Sequence, residues 1–284
     1  MNTRVESAAT AAWPAAAQNQ AAPAANAGAR ELRLWQIAGL ALPLVVFAVL
    51  EVVVRADLVP RNLLPAPSEV FQSLWDLADG DLWRHIGASG ARVLAGFGIG
   101  AALAIVVGAA VGLSRRLEAL LEPSFQALRA IPSLAWVPLL LLWLGIDEAP
   151  KITLIAIGAF FPVYLNLVSG IHNVDRKLIE LSEVYRLGRV EQVRRILLPA
   201  ALPQLFTGLR SGLSLAWMFM VAAELIAASK GLGYLLTDGR ETSRPDLVLV
   251  AILVLAILGK FSDALLKRLE DRWLAWRDTL ATRA

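Results

Sequence analysis

The 284-residue sequence contains no cysteine and only two histidines, His85 and His172, which stand far apart. Without thiols there is no disulfide framework, thiolate metal site or cysteine nucleophile. Two distant histidines and no cluster of nucleophile, base or metal ligands leave an enzyme without its machinery. No catalytic residue, metal ligand or cofactor is therefore assigned. A phosphate-binding loop is missing too. The stretch VLAILGKF holds Gly259-Lys260, but Phe261 stands where Ser or Thr is needed and Val254 where the first glycine belongs. Energy for any work the chain does must come from another subunit or an ion gradient.

What the sequence does have is oil. It is 57% hydrophobic, with a mean hydropathy of +0.59, and its apolar residues cluster in runs near the ~20 residues a helix needs to cross a bilayer. These runs lack the alternation of barrel strands, and lipid admits only helices and closed barrels. The fold class is all-α: a polytopic membrane protein with about six transmembrane helices. The expected spans are Leu34–Val54, Val93–Leu113, roughly Leu134–Ile146 with a preceding half-helix, Ile152–Ile171, Leu205–Ala228 and Leu247–Leu266. Residues 1–30 hold 13 alanines and almost no large apolar groups, so they read as a disordered cytoplasmic tail. Residues 31–284 form the membrane domain. The 21-residue first run is too long for a signal-peptide core, so it reads as an uncleaved span.

Basic residues test the topology. With both termini cytoplasmic, inside segments hold 18 Lys and Arg against 8 outside, the asymmetry that the positive-inside rule demands. That makes the chain a multi-pass membrane protein with both ends on the inner side. Between the first two spans, LPAPSEVFQSLWDLADGDLW reads as an external surface helix. It starts at Pro67 and Ser68, and Val70, Phe71, Leu74 and Trp75 make an apolar face suited to the membrane interface.

One stretch breaks the oily pattern. Residues 175–195 carry ten charges yet keep helical spacing. Leu178, Leu181, Val184 and Tyr185 share one arc, Gly188 offers a break, and Val190, Val193, Ile196 and Leu197 share a second arc. Pro199 and Pro203 close the segment and stiffen entry into the fifth span. Two short amphipathic helices follow, which either rest on lipid or dock a cytoplasmic partner. Acidic and basic residues nearly cancel here, which disfavours nucleic acid.

These residues carry a resemblance. Glu180-Leu181-Ser182, followed by Ile196-x-Leu198-Pro199, resembles the EAA loop of bacterial ABC importer permeases: Glu-Ala-Ala, three residues, Gly, nine residues, Ile-x-Leu-Pro. Leu181 and Ser182 replace the two alanines, and Arg186 replaces the loop glycine, with Gly188 two positions later. The stretches LRAIPSLAWVPLLLLWLGIDEAPKI, FFPVYLNLVSGI, LLPAALPQLFTGLR, LAWMFMVAAELIAASKGLGYLL and VLVAILVLAILGKFSDALLKRLEDRWLAWR resemble the permeases of sulfonate, taurine and nitrate importers, above all the aliphatic-sulfonate permeases.

The resemblance implies a type I ABC importer permease fold and a membrane subunit working as a homodimer. Its implied partners are a cytoplasmic ATPase subunit, a periplasmic substrate-binding protein, a second copy of itself and membrane lipid. The implied cargo is a small organic anion, aliphatic sulfonate first, with taurine or nitrate as alternatives. Segment 171–204 becomes the ATPase-coupling loop, with Glu180, Leu181, Ser182, Tyr185, Arg186 and Gly188 at or near the docking face and Ile196, Leu198 and Pro199 completing the motif. An ion-coupled secondary transporter is the rival. It requires ionisable residues near mid-membrane and a paired repeat in the two halves, and neither is evident.

Three further features carry expectations. Gly96/Gly100 and Gly108/Gly112 are small-xxx-small pairs that let helices approach closely, within the chain by default. Prolines 123, 132 and 138 interrupt the third span, and irregular backbone at membrane depth implies burial in protein or a water-lined path. Ser133, Trp136 and Pro138 are thus pathway candidates, against an ordinary kinked helix. Glu51 and Lys260 lie near span ends and can snorkel. Glu224 lies deeper in the fifth span and predicts a structural pairing. Arg210, at that span's cytoplasmic end, could attract anions or lipid headgroups.

Overall fold

The structure is a computed structural model and describes residues 41–60 and 63–276. The first 30 residues, expected to be a tail, and the start of the first span lie outside the described residues. Residues 41–55 are helical (α1) and apolar; they belong to a unit separate from the remainder.

Among the described residues all regular structure is helical. In the second unit α2 (Pro67–Ala78), α3 (Leu82–Leu113), α4 (Arg115–Ala130), a 3-10 turn (Ser133–Trp136), α5 (Val137–Leu144) and α6 (Glu148–His172) follow in order. Then come α7 (Arg176–Val184), α8 (Arg189–Gln192), a π turn (Val193–Leu197), α9 (Leu198–Ala227), α10 (Leu232–Glu241) and α11 (Pro245–Trp273).

Four stretches are long and apolar enough to cross a membrane: Leu82–Leu113, Glu148–His172, Arg189–Ile226 and Pro245–Trp273. A fifth is the broken pair Arg115–Ala130 and Ser133–Leu144, bent by 88°. The broken span thus matches the expected half-helix and its partner. Two helices outrun their expected bounds. α3 begins 11 residues before Val93, because its polar first turns find partners inside the protein. The fifth span does not start after Pro203, because α9 runs through it.

The helices α3, α6 and α9 form the centre of the bundle, with α5 against α6 and α11 against α9 and α10. In lipid there is no hydrophobic drive between helices, so close packing has to hold them together. Glycine supplies it. A methyl group on Gly100 would collide with the Ala156 carbonyl of α6, and one on Gly158 with the Phe219 ring of α9. The glycine stripe of α3 therefore packs within the chain. Val93, Leu140, Leu154, Ile155, Phe219 and Met220 fill the space around these contacts. The apolar face of α2 divides: Val70 and Leu74 pack with Leu82, Leu232, Val250 and Val254, while Phe71 and Trp75 are exposed.

Candidate coupling and translocation site

The chain runs from α6 into a hairpin and back into α9, so the hairpin caps one end of the bundle. Asp175 starts α7 by accepting a 2.9 Å bond from the Lys177 N–H. The helix ends in paired bonds, from the Arg186 N–H to the Glu183 carbonyl at 2.9 Å and from the Leu187 N–H to the Ser182 carbonyl at 3.0 Å. This closure passes through one left-handed residue, a place usually taken by glycine. Here it is Arg186, with φ at +51°. Gly188, expected to make the break, has an extended backbone (φ −65°, ψ 158°) that any residue can adopt. The break therefore sits two residues earlier, at the position where the EAA pattern has its glycine.

Ser182 is buried, and its hydroxyl donates to the Ile179 carbonyl at 2.6 Å while accepting from Gln192 Nε2 at 2.9 Å. It ties the two arms together and does not lie on the outer face. Leu181, Val184 and Tyr185 lie outside, at 49, 78 and 71% exposure, and Val190 is exposed too. Glu180 is exposed and, among the described residues, pairs along its own helix, with Arg176 at 3.2 Å. Ile196 and Pro199 are half-buried, and Leu198 is more exposed. Pro199 has no N–H to offer its own helix. The turn before it widens, with the Leu198 N–H reaching back to the Val193 carbonyl, and the helix continues without a break into α9.

At the opposite end of the bundle a buried ion network gathers four segments. Arg92 of α3, 3% exposed, grips Glu148 of α6 with Nε and Nη2 at 2.6 and 2.7 Å. Its Nη1 donates to Glu224 of α9 at 2.6 Å and to the Lys230 carbonyl at 2.7 Å. Glu224 is 1% exposed and also accepts from Ser89 Oγ at 2.8 and 2.9 Å and from the Gly233 N–H at 2.8 Å. Ser89 in turn accepts the Leu232 N–H at 2.8 Å, and His85 Nδ1 accepts the Gly231 N–H at 3.0 Å. Gly231 lies against the Glu224 carboxylate with φ at +131°, where a side chain has neither room nor a relaxed backbone. Buried charges persist in lipid when paired in this way. The expected pairing of Glu224 is present. Arg92 and Glu148 escaped the sequence reading because both were assigned to loops. The signal was there, since Ser89 and Arg92 continue the Gly96/Gly100 stripe upstream at helical spacing.

Arg210 is engaged as well. It makes a two-armed pair with Asp263 of α11 at 2.9 and 3.0 Å and reaches Glu270 at 3.4 Å. Its charge is met inside the protein, so the expectation of an anion or headgroup partner is corrected. Ser133 and Trp136 occupy the 3-10 turn at the 88° break and are half-buried, while Pro138 is exposed. Trp136 packs on the cluster of Leu140, Leu154 and Phe219. The hairpin, the far-end network and the broken span are thus three separate places.

Residues 96–274 match the family described as "Binding-protein-dependent transport system inner membrane component". The chain belongs to this family. Among its relatives is a Bacillus subtilis protein named as an aliphatic sulfonates transport permease, SsuC, 40% identical over 85% of this chain and 88% of its own. The SsuC protein of Escherichia coli is 41% identical over 86% of this chain and 93% of its own. The taurine transport system permease protein TauC of Escherichia coli is 35% identical over 79% and 84%. In solved structures, the MetNI methionine ABC transporter in inward-facing conformations contains a chain of like fold. The TM-score is 0.55 at 19% identity, over 66% of this chain and 96% of that one. This permease is accordingly a membrane-embedded subunit of an ABC transport system with the type I fold, and such subunits are not themselves enzymes.

Proposed function

We propose that this permease imports an aliphatic sulfonate, driven by a separate cytoplasmic ATPase and supplied by a substrate-binding protein at the other face. The observation that carries the coupling role is the hairpin: a rigid pair of arms, pinned by Ser182 and Gln192, presenting Leu181, Val184 and Tyr185 outward. Such an apolar helical face fits a groove on a protein partner. Glu180, Arg186 and Gly188 flank it, and Ile196, Leu198 and Pro199 join it to α9, so a push on the hairpin moves a membrane helix.

The hairpin, with six Lys and Arg in residues 175–195, and the end of α11 share one end of the bundle, which supports a cytoplasmic placement for both by the positive-inside rule, a count of Lys and Arg. In this reading both termini face the cytoplasm of an inner-membrane protein. Two copies pair in this reading, with the pathway running along the broken span past Ser133, Trp136 and Pro138. ATP binding and release shift the helices between inward-open and outward-open states by stabilising each differently.

Sulfonate as cargo rests on the two relatives of about 40% identity; taurine, on the 35% relative, comes second. The test is uptake into proteoliposomes holding the permease, its ATPase and its binding protein, with labelled ethanesulfonate, taurine and nitrate offered in turn. ATP-dependent accumulation of ethanesulfonate supports the assignment. Accumulation of another solute alone would replace it.

A further inference from the structure

A cavity of about 630 Å³ opens near the end of the bundle opposite the hairpin, between residues 63–65, the last turn of α9, α10 and the start of α11. Its lining is mostly apolar, with Leu64, Leu225, Leu249 and Ile252 among its walls, and its polar groups are Thr237, Arg240 and Ser243. No carboxylate lines it; Asp238 and Glu241, the acidic residues of α10, are not among the lining residues. Among the described residues no carboxylate pairs with Arg240, whereas its neighbour Arg244 is held by Asp246 at 2.7 Å.

The polar rim lies at the C-terminal end of α10. α10 closes with the Arg244 N–H on the Gly239 carbonyl at 2.7 Å and the Ser243 N–H on the Arg240 carbonyl at 3.3 Å. The closure passes through Ser243 in the left-handed region, φ +54°. Thr237, Arg240 and Ser243 thus line one cavity whose other walls are apolar, and among the described residues Arg240 has no carboxylate partner.

The geometry points to a binding site for an amphiphilic anion: an alkyl chain laid along the leucines and Ile252, ending in one sulfonate or phosphate held by Arg240 and Ser243. Guanidinium suits a tetrahedral oxyanion because its fork can donate to two oxygens at once. Arg240, with no carboxylate partner among the described residues, matches one negative charge, and the apolar walls exclude a compact inorganic anion as the best occupant. The same chemistry has two sources, a free alkanesulfonate or the phosphate and acyl chain of an anionic lipid. The site stands apart from the pathway and the hairpin, so its failure would leave the transport reading untouched.

The experiment uses the full chain in phosphatidylcholine nanodiscs and a decanesulfonate probe carrying a diazirine at the end of its chain. Adducts are mapped by mass spectrometry. Labelling should concentrate in residues 63–65, 225 and 236–252. It should fall about ten-fold in Arg240→Gln, the scale of losing a charge-assisted contact, and persist in Arg240→Lys. Both variants alter an exposed side chain and leave the buried packing alone. Competition by short free alkanesulfonates assigns the site to a soluble anion, and competition only by phosphatidylglycerol in the disc assigns it to lipid; either supports the site. Equal labelling by the uncharged decanol probe would overturn it, as would adducts scattered over the helices or indifference to Arg240→Gln.

Discussion

Arg92 and Glu224, 132 residues apart in sequence, meet at 2.6 Å with both side chains almost wholly buried. Removing Arg92 strands the Glu224 carboxylate among neutral donors, and removing Glu224 leaves the buried guanidinium with half-exposed Glu148 as its remaining charge partner. Arg92→Ala or Glu224→Ala should each cost about 3–5 kcal/mol, whereas replacing both by well-packed apolar residues should cost less than either alone. Glu148 is 44% exposed, so Glu148→Gln should be milder, near 1 kcal/mol. Thermal unfolding of the purified variants in one detergent, arranged as a double-mutant cycle, measures the coupling.

The glycine contacts separate packing from composition. Gly100→Ala forces a methyl group onto the Ala156 carbonyl and should destabilise by about 1–3 kcal/mol. Gly98→Ala, on the same helix with nothing within 4 Å of the new methyl, should be neutral or slightly stabilising. Equal melting temperatures for the two would show that α3 and α6 do not touch as described.

These two sites also show what the sequence could and could not reveal. The spans themselves were plain, because apolar runs of bilayer length admit few other structures. Their ends were not. Hydropathy stops where charge begins, yet α3 carries Arg92 inside the protein since Glu148 and Glu224 arrive from other helices to meet it. Likewise Pro203 reads as a boundary in one dimension, but α9 runs straight through it. The hairpin's apolar arc was legible from spacing alone. Its left-handed residue was not, because Gly188 offered an obvious breaker and Arg186 an unlikely one.

Arg186 invites a two-way test. Its left-handed backbone costs a residue with a side chain roughly 1 kcal/mol relative to glycine. Arg186→Gly should therefore stabilise the hairpin by about that amount, seen as slower amide exchange in residues 182–190. If its exposed guanidinium pairs with an acidic group on the ATPase, Arg186→Glu should weaken co-purification of the two subunits while leaving the permease's own melting temperature unchanged. Unaltered association would end the ion-pair idea.

Ser182→Ala removes the hydroxyl that joins α7 to Gln192, at a local cost near 1 kcal/mol. Exchange should quicken in both arms together. Tyr185→Ala should leave exchange unchanged, since that ring is exposed, yet reduce ATP-driven uptake. The contrast distinguishes residues that build the hairpin from those that offer it to a partner.

The proposed coupling requires that the hairpin face the cytoplasm and be held there by the ATPase. Because the chain has no cysteine, Tyr185→Cys carries a single thiol, and a membrane-impermeant maleimide can report its side and its cover. The thiol should react in inverted membrane vesicles stripped of ATPase, be shielded when the ATPase is restored, and stay silent in intact spheroplasts. Labelling of intact spheroplasts, or reactivity unchanged by the ATPase, would contradict that placement.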